Sequence, residues 1–565
     1  MKKKLTLVLA AAMLTTTVLS GCGSSTKETE AQTIAAATTE APTTEAATTA
    51  AEETAKPAAQ EITFVVSNEP DGIDPGITNN SFASIFIGNC FEGLVTYDES
   101  GSVVPGSAES WDISDDGTVY TFHLRDGIKW NDGSDLTAED FYYSYMRVLD
   151  PATGARYVNM LTDYIAGAAD YYAGNAAAEE VGIKVVDSKT LEITLIKPVA
   201  YFIDTLTMYV YAPVQKATVE ANGDSWTAKP ETYISNGPLK VTEMNMGEGI
   251  VMEKNEYYWD AENVTIDKVN VRYILDTSTA LTAYESGEVD GIRDIPASDF
   301  ARLKAENAGI VSVPSFGTVY YDINCAKEPY NNPLVRKAIN LAIDREAIIN
   351  NVVQIDAEPA FNLISPGYAV DGVDLTEGRS TRELSPNADP EAAQAALAEA
   401  GYPNGEGFPT LQLSFYSNDT VKKVAESIAE MLKTNLNINV EVTSADWAVF
   451  YEDVQKGNYE IAAMGWSADY MHPMSFMPLL MTGDPNNHTG YSNPEYDALV
   501  NEIMGETDTA KAAEMIKEAE DMVMNDYPLL NLYYKANNFL MKDYVKGYYM
   551  TSSGHLYFHH ASVEK

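Results

Sequence analysis

Residues 91–151 read FEGLVTYDESGSVVPGSAESWDISDDGTVYTFHLRDGIKWNDGSDLTAEDFYYSYMRVLDP. Tyr120 to Arg125, YTFHLR, alternates apolar and polar side chains, the pattern of a half-buried strand. Thr137 to Leu149, TAEDFYYSYMRVL, has the chemistry of a helix start. Asp140 stands three positions after Thr137, so each side chain can satisfy a backbone N–H that the first turn leaves unpaired. A strand followed by a capped helix predicts a chain of α/β or α+β class with mixed sheets.

The same two patterns recur on both sides. EITFVVS (Glu61 to Ser67), TLEITLI (Thr190 to Ile196) and KVNVRYI (Lys268 to Ile274) read as strands, and IVMEKNEYYW (Ile250 to Trp259) runs into a turn. Asn332 to Asp344 and Asp389 to Gly401 each open with an N-cap residue and a proline at the first helical position. Gly401 supplies a C-terminal stop. VKKVAESIAEMLKTNL is amphipathic and steps into the strand-like INVEVTSADW. The 565 residues exceed one core, which predicts two or three domains. The formal charge of −46, from 83 acids against 37 Lys and Arg, argues against nucleic acid and suits a dispersed soluble body.

Met1 to Lys4 is basic, and Leu5 to Leu19 is apolar but short for a membrane span. LSGC, Leu19 to Cys22, resembles a bacterial lipobox, which implies lipidation at Cys22 and an anchor on a membrane. Residues 23–60 are Ala, Thr and Glu-rich without an aromatic residue, the composition of a disordered tether. Cys90 and Cys325 stand alone, which favours small buried hydrophobes over a disulfide framework.

Residues 465–482, GWSADYMHPMSFMPLLMT, place one acid, Asp469, among Trp466, Tyr470, Phe476, four methionines and His472. Either this is core with a stray surface acid, or the acid awaits a cation. The 91–151 stretch, with SNGPLKV, NEYYWD, YESGEVDGI, NNPLVRKAINLAIDRE and GWSADY, resembles the oligopeptide-binding family, the large extracytoplasmic solute-binding proteins of ABC importers. The likeness runs from Glu61 to the C-terminus. It implies an α/β, periplasmic-binding-protein-like fold of class II, the large three-domain type, with two lobes hinged around a cleft. Domain I would comprise 61–91, 214–317 and 536–565, domain II 92–213, and domain III 318–535, after a leader (1–22) and a tether (23–60).

The resemblance also implies a site. Asp469 would take a peptide ammonium, and the backbone of Gly465, Trp466 and Ser467 would pair with the ligand. The backbone of Asn79, Asn80 and Ser81 would form the opposite wall. Trp447 and Trp466 would line side-chain pockets, and Tyr143, Tyr533 and Tyr534 would make polar contacts. Asn236 would be either a cleft residue or a turn residue. The family's basic residue three positions before the Trp is Ala463 here, a histidine position is Val421, and a cysteine pair of some relatives is Gly317 and Ser467. The ligand's carboxyl end is thus left without an assigned partner.

The implied function is a lipid-anchored, monomeric binder on the outer face of the bacterial cytoplasmic membrane. It would deliver peptides to an ABC permease with its ATPase, with no cofactor, metal or nucleic acid. The alternatives are a same-fold binder of nickel or another metal complex and a peptide-signal receptor. Met471, His472, Met474, Met477 and Met481 offer soft ligands, but such spacing suits packing equally. No G-x-S-x-G, H-E-x-x-H or P-loop motif points to an enzyme.

Overall fold

The computed structural model describes residues 60–565, apart from 246, 371–372 and 376–382. The leader, Cys22 and the tether up to residue 59 lie outside those residues. Among the described residues, ten strands form one mixed sheet. Their order is Val440–Ala445, Leu411–Tyr416, Ile461–Ser467, Ile310–Ile323, Leu529–Met541, Gly291–Ile292, Glu61–Val66, Lys268–Tyr273, Gly249–Lys254 and Leu239–Asn245. Two of them, Ile310–Ile323 and Leu529–Met541, are long and antiparallel. One end of this pair adjoins Gly291–Ile292 and the other adjoins Ile461–Ser467, so the pair links the two halves of the sheet. Its ladder breaks between Pro314 and Thr318 and shifts again between Val319 and Tyr320. A proline without an N–H and an unpaired stretch of backbone interrupt the ladder there.

A second, antiparallel sheet runs in the order Ala108–Ile113, Val119–Leu124, Thr190–Thr194, Ile183–Asp187. Helix Ala138–Val148 packs on it, and the expected capping box closes its start, with Thr137 N donating to Asp140 Oδ2 at 2.9 Å. Asn332 and Asp389 cap their helices as read, and Gly401 follows the helix Pro390–Glu399 with φ of 100°. Cys90 is buried and Cys325 half-buried, both as free thiols.

Three of the motifs that carry the family resemblance converge on one buried carboxyl, Glu92 of FEGL. It accepts hydrogen bonds from Tyr258 Oη at 2.5 Å, Trp259 Nε1 at 3.0 Å and Ser107 Oγ at 3.1 Å. Burial pushes its pKa up to about 7, and these three donors oppose the rise. Arg125 stacks 3.7 Å over the Trp259 ring. Asn236 of SNG donates to Glu92 O at 2.8 Å and accepts from Glu92 N at 3.1 Å. Gly237 is glycine because a Cβ there would stand 2.5 Å from the carbonyl carbon of Cys90. Trp226, silent in the sequence, donates to Asp74 Oδ2 at 2.8 Å, and Arg147 grips the same carboxylate with both terminal nitrogens. That pair ties helix Ala138–Val148 to the loop after the first strand, and its partial burial with matched geometry makes it more than a surface ion pair.

Candidate functional site

The strand Ile461–Ser467 has one complete edge and one incomplete edge. Residues 317–323 pair with it along its whole length. On the other side Leu411–Tyr416 pairs only with Ile461 and Ala462. Ala463 to Ser467 therefore present an edge without a neighbouring strand among the described residues. Such an edge accepts an added extended chain.

The chain leaves this strand with Ala468 N donating to Phe316 O at 2.6 Å and Asp469 N donating to Ser475 Oγ at 2.9 Å. These bonds hold the Asp469 backbone, but no protein donor or cation meets its carboxylate among the described residues. Burial, with nothing opposing it, pushes its pKa up to about 6. The apolar surroundings come from the residues that follow. Tyr470, Met474, Phe476 and Met477 are buried, and His472, driven down to about 3 by burial, stacks on Tyr201 at 5.0 Å. Tyr201 also stacks on Tyr470 at 5.5 Å, so the segment after the acid packs on a residue distant in sequence. His472 and the methionines are thereby spent on packing, and no group of three or more His, Cys, Asp or Glu at metal distance occurs among the described residues.

Close to Asp469 stand Tyr157 and Tyr209, edge to face at 6.1 Å. Burial raises both hydroxyl pKa values, and the nearby charge of Asp469 raises them further. Arg156, next to Tyr157 in the chain, reaches the Asn79–Ser81 strip. Arg156 donates to Asn79 Oδ1 at 2.8 Å and to Asp71 at 2.9 Å, while Asn80 Nδ2 donates to Asp71 at 3.0 Å. Ser81 O accepts from Arg293 Nη1 at 3.0 Å.

The remaining residues expected at the site fall into two groups. Trp466 is half-buried against the larger core, with its Nε1 enclosed and unpaired, and Thr318 lies opposite it in the ladder. Tyr533 and Tyr534 lie on the second long strand, and the Tyr534 hydroxyl accepts from Asn362 N at 3.1 Å. Trp447 is 52% exposed at the start of helix Trp447–Gln455, stacked on Tyr451 at 5.2 Å. Tyr143 and Asn236 are not brought to Asp469. Tyr143 lies under Lys216, with Arg147, Glu220 and Asp74 as its charged neighbours. Asn236, 4% exposed, is consumed by the Glu92 backbone and is structural. Its side chain matches the backbone N–H and C=O of one residue, Glu92, which a turn position in sequence does not reveal.

Sequence reading missed Tyr157, Tyr209 and Lys535. Lys535 is the lone charge in LLNLYYKANNFLM, the same signal that singled out Asp469.

The pattern of the bacterial extracellular solute-binding proteins, family 5, middle region, matches residues 102–488. The periplasmic oligopeptide-binding protein OppA of Salmonella typhimurium is 35% identical over 495 residues, 87% of this chain and 90% of that protein. The oligopeptide-binding protein OppA of Bacillus subtilis is 31% identical over 501 residues, 88% of this chain and 91% of that protein. The periplasmic murein tripeptide-binding protein MppA, solved in an unliganded open form, superposes with a TM-score of 0.79 at 30% identity, covering 90% of this chain and 98% of that one.

Proposed function

The chain belongs to family 5 of the bacterial extracellular solute-binding proteins, and on that footing we propose that it captures peptides and passes them to the permease of an ABC importer. The observation that carries the peptide reading is the open edge at Ala463–Ser467 ending beside an unpaired, half-buried acid. A peptide of any sequence offers a backbone to pair with that edge and an ammonium to meet Asp469. A charge pair in such a place is strong because water is largely excluded. Gly465, Trp466 and Ser467 supply the edge, Asn79, Asn80 and Ser81 the far wall, and Trp447, Tyr533 and Tyr534 the flanks. The two lobes close over the ligand, and the permease reads the closed form. The ATPase of the importer supplies the energy.

Calorimetry with trialanine and its N-acetyl form tests this. Acetylation removes the cation, and affinity should fall by about a hundredfold or more. Equal affinities would refute the role of Asp469. Mass spectrometry of the cargo that co-purifies with the native protein should return peptides.

We further propose that Cys22 carries a lipid that holds the protein on the outer face of the cytoplasmic membrane. Cys22→Ser protein should appear in the soluble fraction, since one or more acyl chains at about 0.8 kcal/mol per CH₂ no longer hold it. Unchanged membrane partitioning of that variant would rule the anchor out.

A further inference from the structure

Lys535 lies on the second long strand, facing the break in its ladder with the first. Its stem crosses the first long strand at Gly317, where a Cβ would stand 2.8 Å from Lys535 Cδ, and passes over Gly465. Its ammonium donates to Ser467 Oγ at 2.8 Å. It is half-buried by surface, yet enough protein surrounds the ammonium to push its pKa down to about 8, with no acid opposing that fall. Beside it lies a cavity of about 270 Å³ lined by Ser312, Ser315, Glu358, Ser365 and Tyr534 among others. Asp356, the other acid of that cavity, is bound by Lys304 at 2.7 Å, and Glu358 makes no ion pair with Lys535.

Two opposite charges, Asp469 and Lys535, thus stand two residues and one hydrogen bond apart, and neither has an ion-pair partner among the described residues. Leaving two enclosed charges uncompensated is costly for the empty protein. A ligand carrying an ammonium and a carboxylate would relieve both. We propose that Lys535 receives a ligand carboxylate, at the opposite end from the ammonium held by Asp469. This rests on the peptide reading above and adds to it a limit on ligand length.

The limit follows from chain geometry. Lys535 is hydrogen-bonded to Ser467, and Asp469 is two residues further along the same chain. Extended covalent geometry caps the separation of the two charges at roughly 16 Å. Hydrogen-bond distance at each end takes up about 6 Å of that span. The remainder fits an extended ligand of about two or three residues. The span is set by the Lys535–Ser467 bond and by the chain from Ser467 to Asp469. In a dipeptide or tripeptide the terminal carboxylate reaches Lys535. In a longer peptide only an acidic side chain near the second residue does.

The probes are trialanine, trialanine amide, N-acetyl-trialanine and Ala-Glu-Ala-Ala amide, titrated into wild type, Lys535→Gln and Lys535→Arg. Amidation of trialanine should weaken binding to wild type about ten- to a hundredfold. Lys535→Gln should bind acid and amide alike, and Lys535→Arg should keep the preference for the acid. If the amide matches the acid but the Glu-bearing peptide binds more tightly through Lys535, the carboxylate is a side chain. Acid, amide and Glu peptide binding alike to wild type and Lys535→Gln would overturn the proposal. The peptide reading would still stand in that case if acetylation weakens binding. Failure of wild type to bind any probe would defeat both. Should Lys535→Gln fold poorly by its thermal midpoint, NMR of ¹³C-methylated lysines in wild type decides. The Lys535 signal, identified by its absence in Lys535→Arg, should shift to a higher titration midpoint with trialanine and stay put with the amide. No such difference counts against the proposal.

Discussion

Asp469→Asn loses most ligand affinity and at the same time steadies the empty protein. The amide keeps the size of the side chain and the backbone bond from Asp469 N to Ser475, so the change isolates charge. A peptide ammonium docked there would be left without its counter-ion in a half-buried place, at a cost of about 3–5 kcal/mol. Calorimetry with trialanine should show affinity lower by at least about a hundredfold, and an unchanged affinity would dismiss the acid as the ammonium partner.

The stability effect has the opposite sign. Folding lifts the Asp469 pKa from the ordinary 3.8 to about 6, because burial disfavours the carboxylate. The folded state therefore holds this proton more tightly than the unfolded state. The favourable contribution is complete below 3.8 and is lost as pH rises through about 6. Above that pH the ionised group costs up to about 3 kcal/mol, which the asparagine does not incur. Denaturant titrations of variant and wild type should coincide near pH 4 and separate by pH 8, with the variant more stable. Equal stabilities at pH 8 would mean that the carboxylate is solvated in the empty cleft. A residue that weakens the empty fold while serving the ligand is what a binding site asks of its charges.

Glu92→Leu unfolds much of the protein's margin without touching the ligand. It strips the acceptor from the buried Ser107 Oγ, the half-buried Tyr258 Oη and the Nε1 of the partly exposed Trp259. Each orphaned donor costs about 1–3 kcal/mol, and local relaxation brings the sum to about 3–5 kcal/mol. Glu92→Gln keeps a carbonyl acceptor and should cost about 1 kcal/mol near pH 7. Folding raises the Glu92 pKa to about 7, so wild type weakens as pH climbs through 7 while the glutamine variant does not. Thermal melts at pH 6 and 8 measure this. Trialanine affinity of the folded fraction should match wild type in both variants. A drop in affinity would move Glu92 from scaffold to site.

The local pattern of the chain carried a good deal. Thr137 with Asp140, Asn332 with Pro333 and Asp389 with Pro390 mark helix starts because a cap is satisfied by residues two or three positions away. Alternation in YTFHLR and KVNVRYI marks strands because a strand shows its two faces in turn. Asp469 stood out because a charge in an apolar run has to be answered by something. The motif SNG was visible too, but its place was not: Asn236 serves Glu92, 144 residues away in the chain, and not the cleft.

Lys535 shows where local reading stops. It bears the same mark as Asp469, one charge in an apolar strand, yet its meaning depends on Gly317 leaving room for its stem and on Ser467 meeting its ammonium. Those residues come from three strands far apart in sequence. The sequence by itself determined the elements, the family and the acid, because periodicity, capping and a lone charge are properties of neighbours along the chain. Only the tertiary structure decided which motifs are scaffold, that an edge stands open beside the acid, and that Lys535 reaches Ser467 two residues before it. Hydrogen bonds and desolvation depend on what lies across the fold.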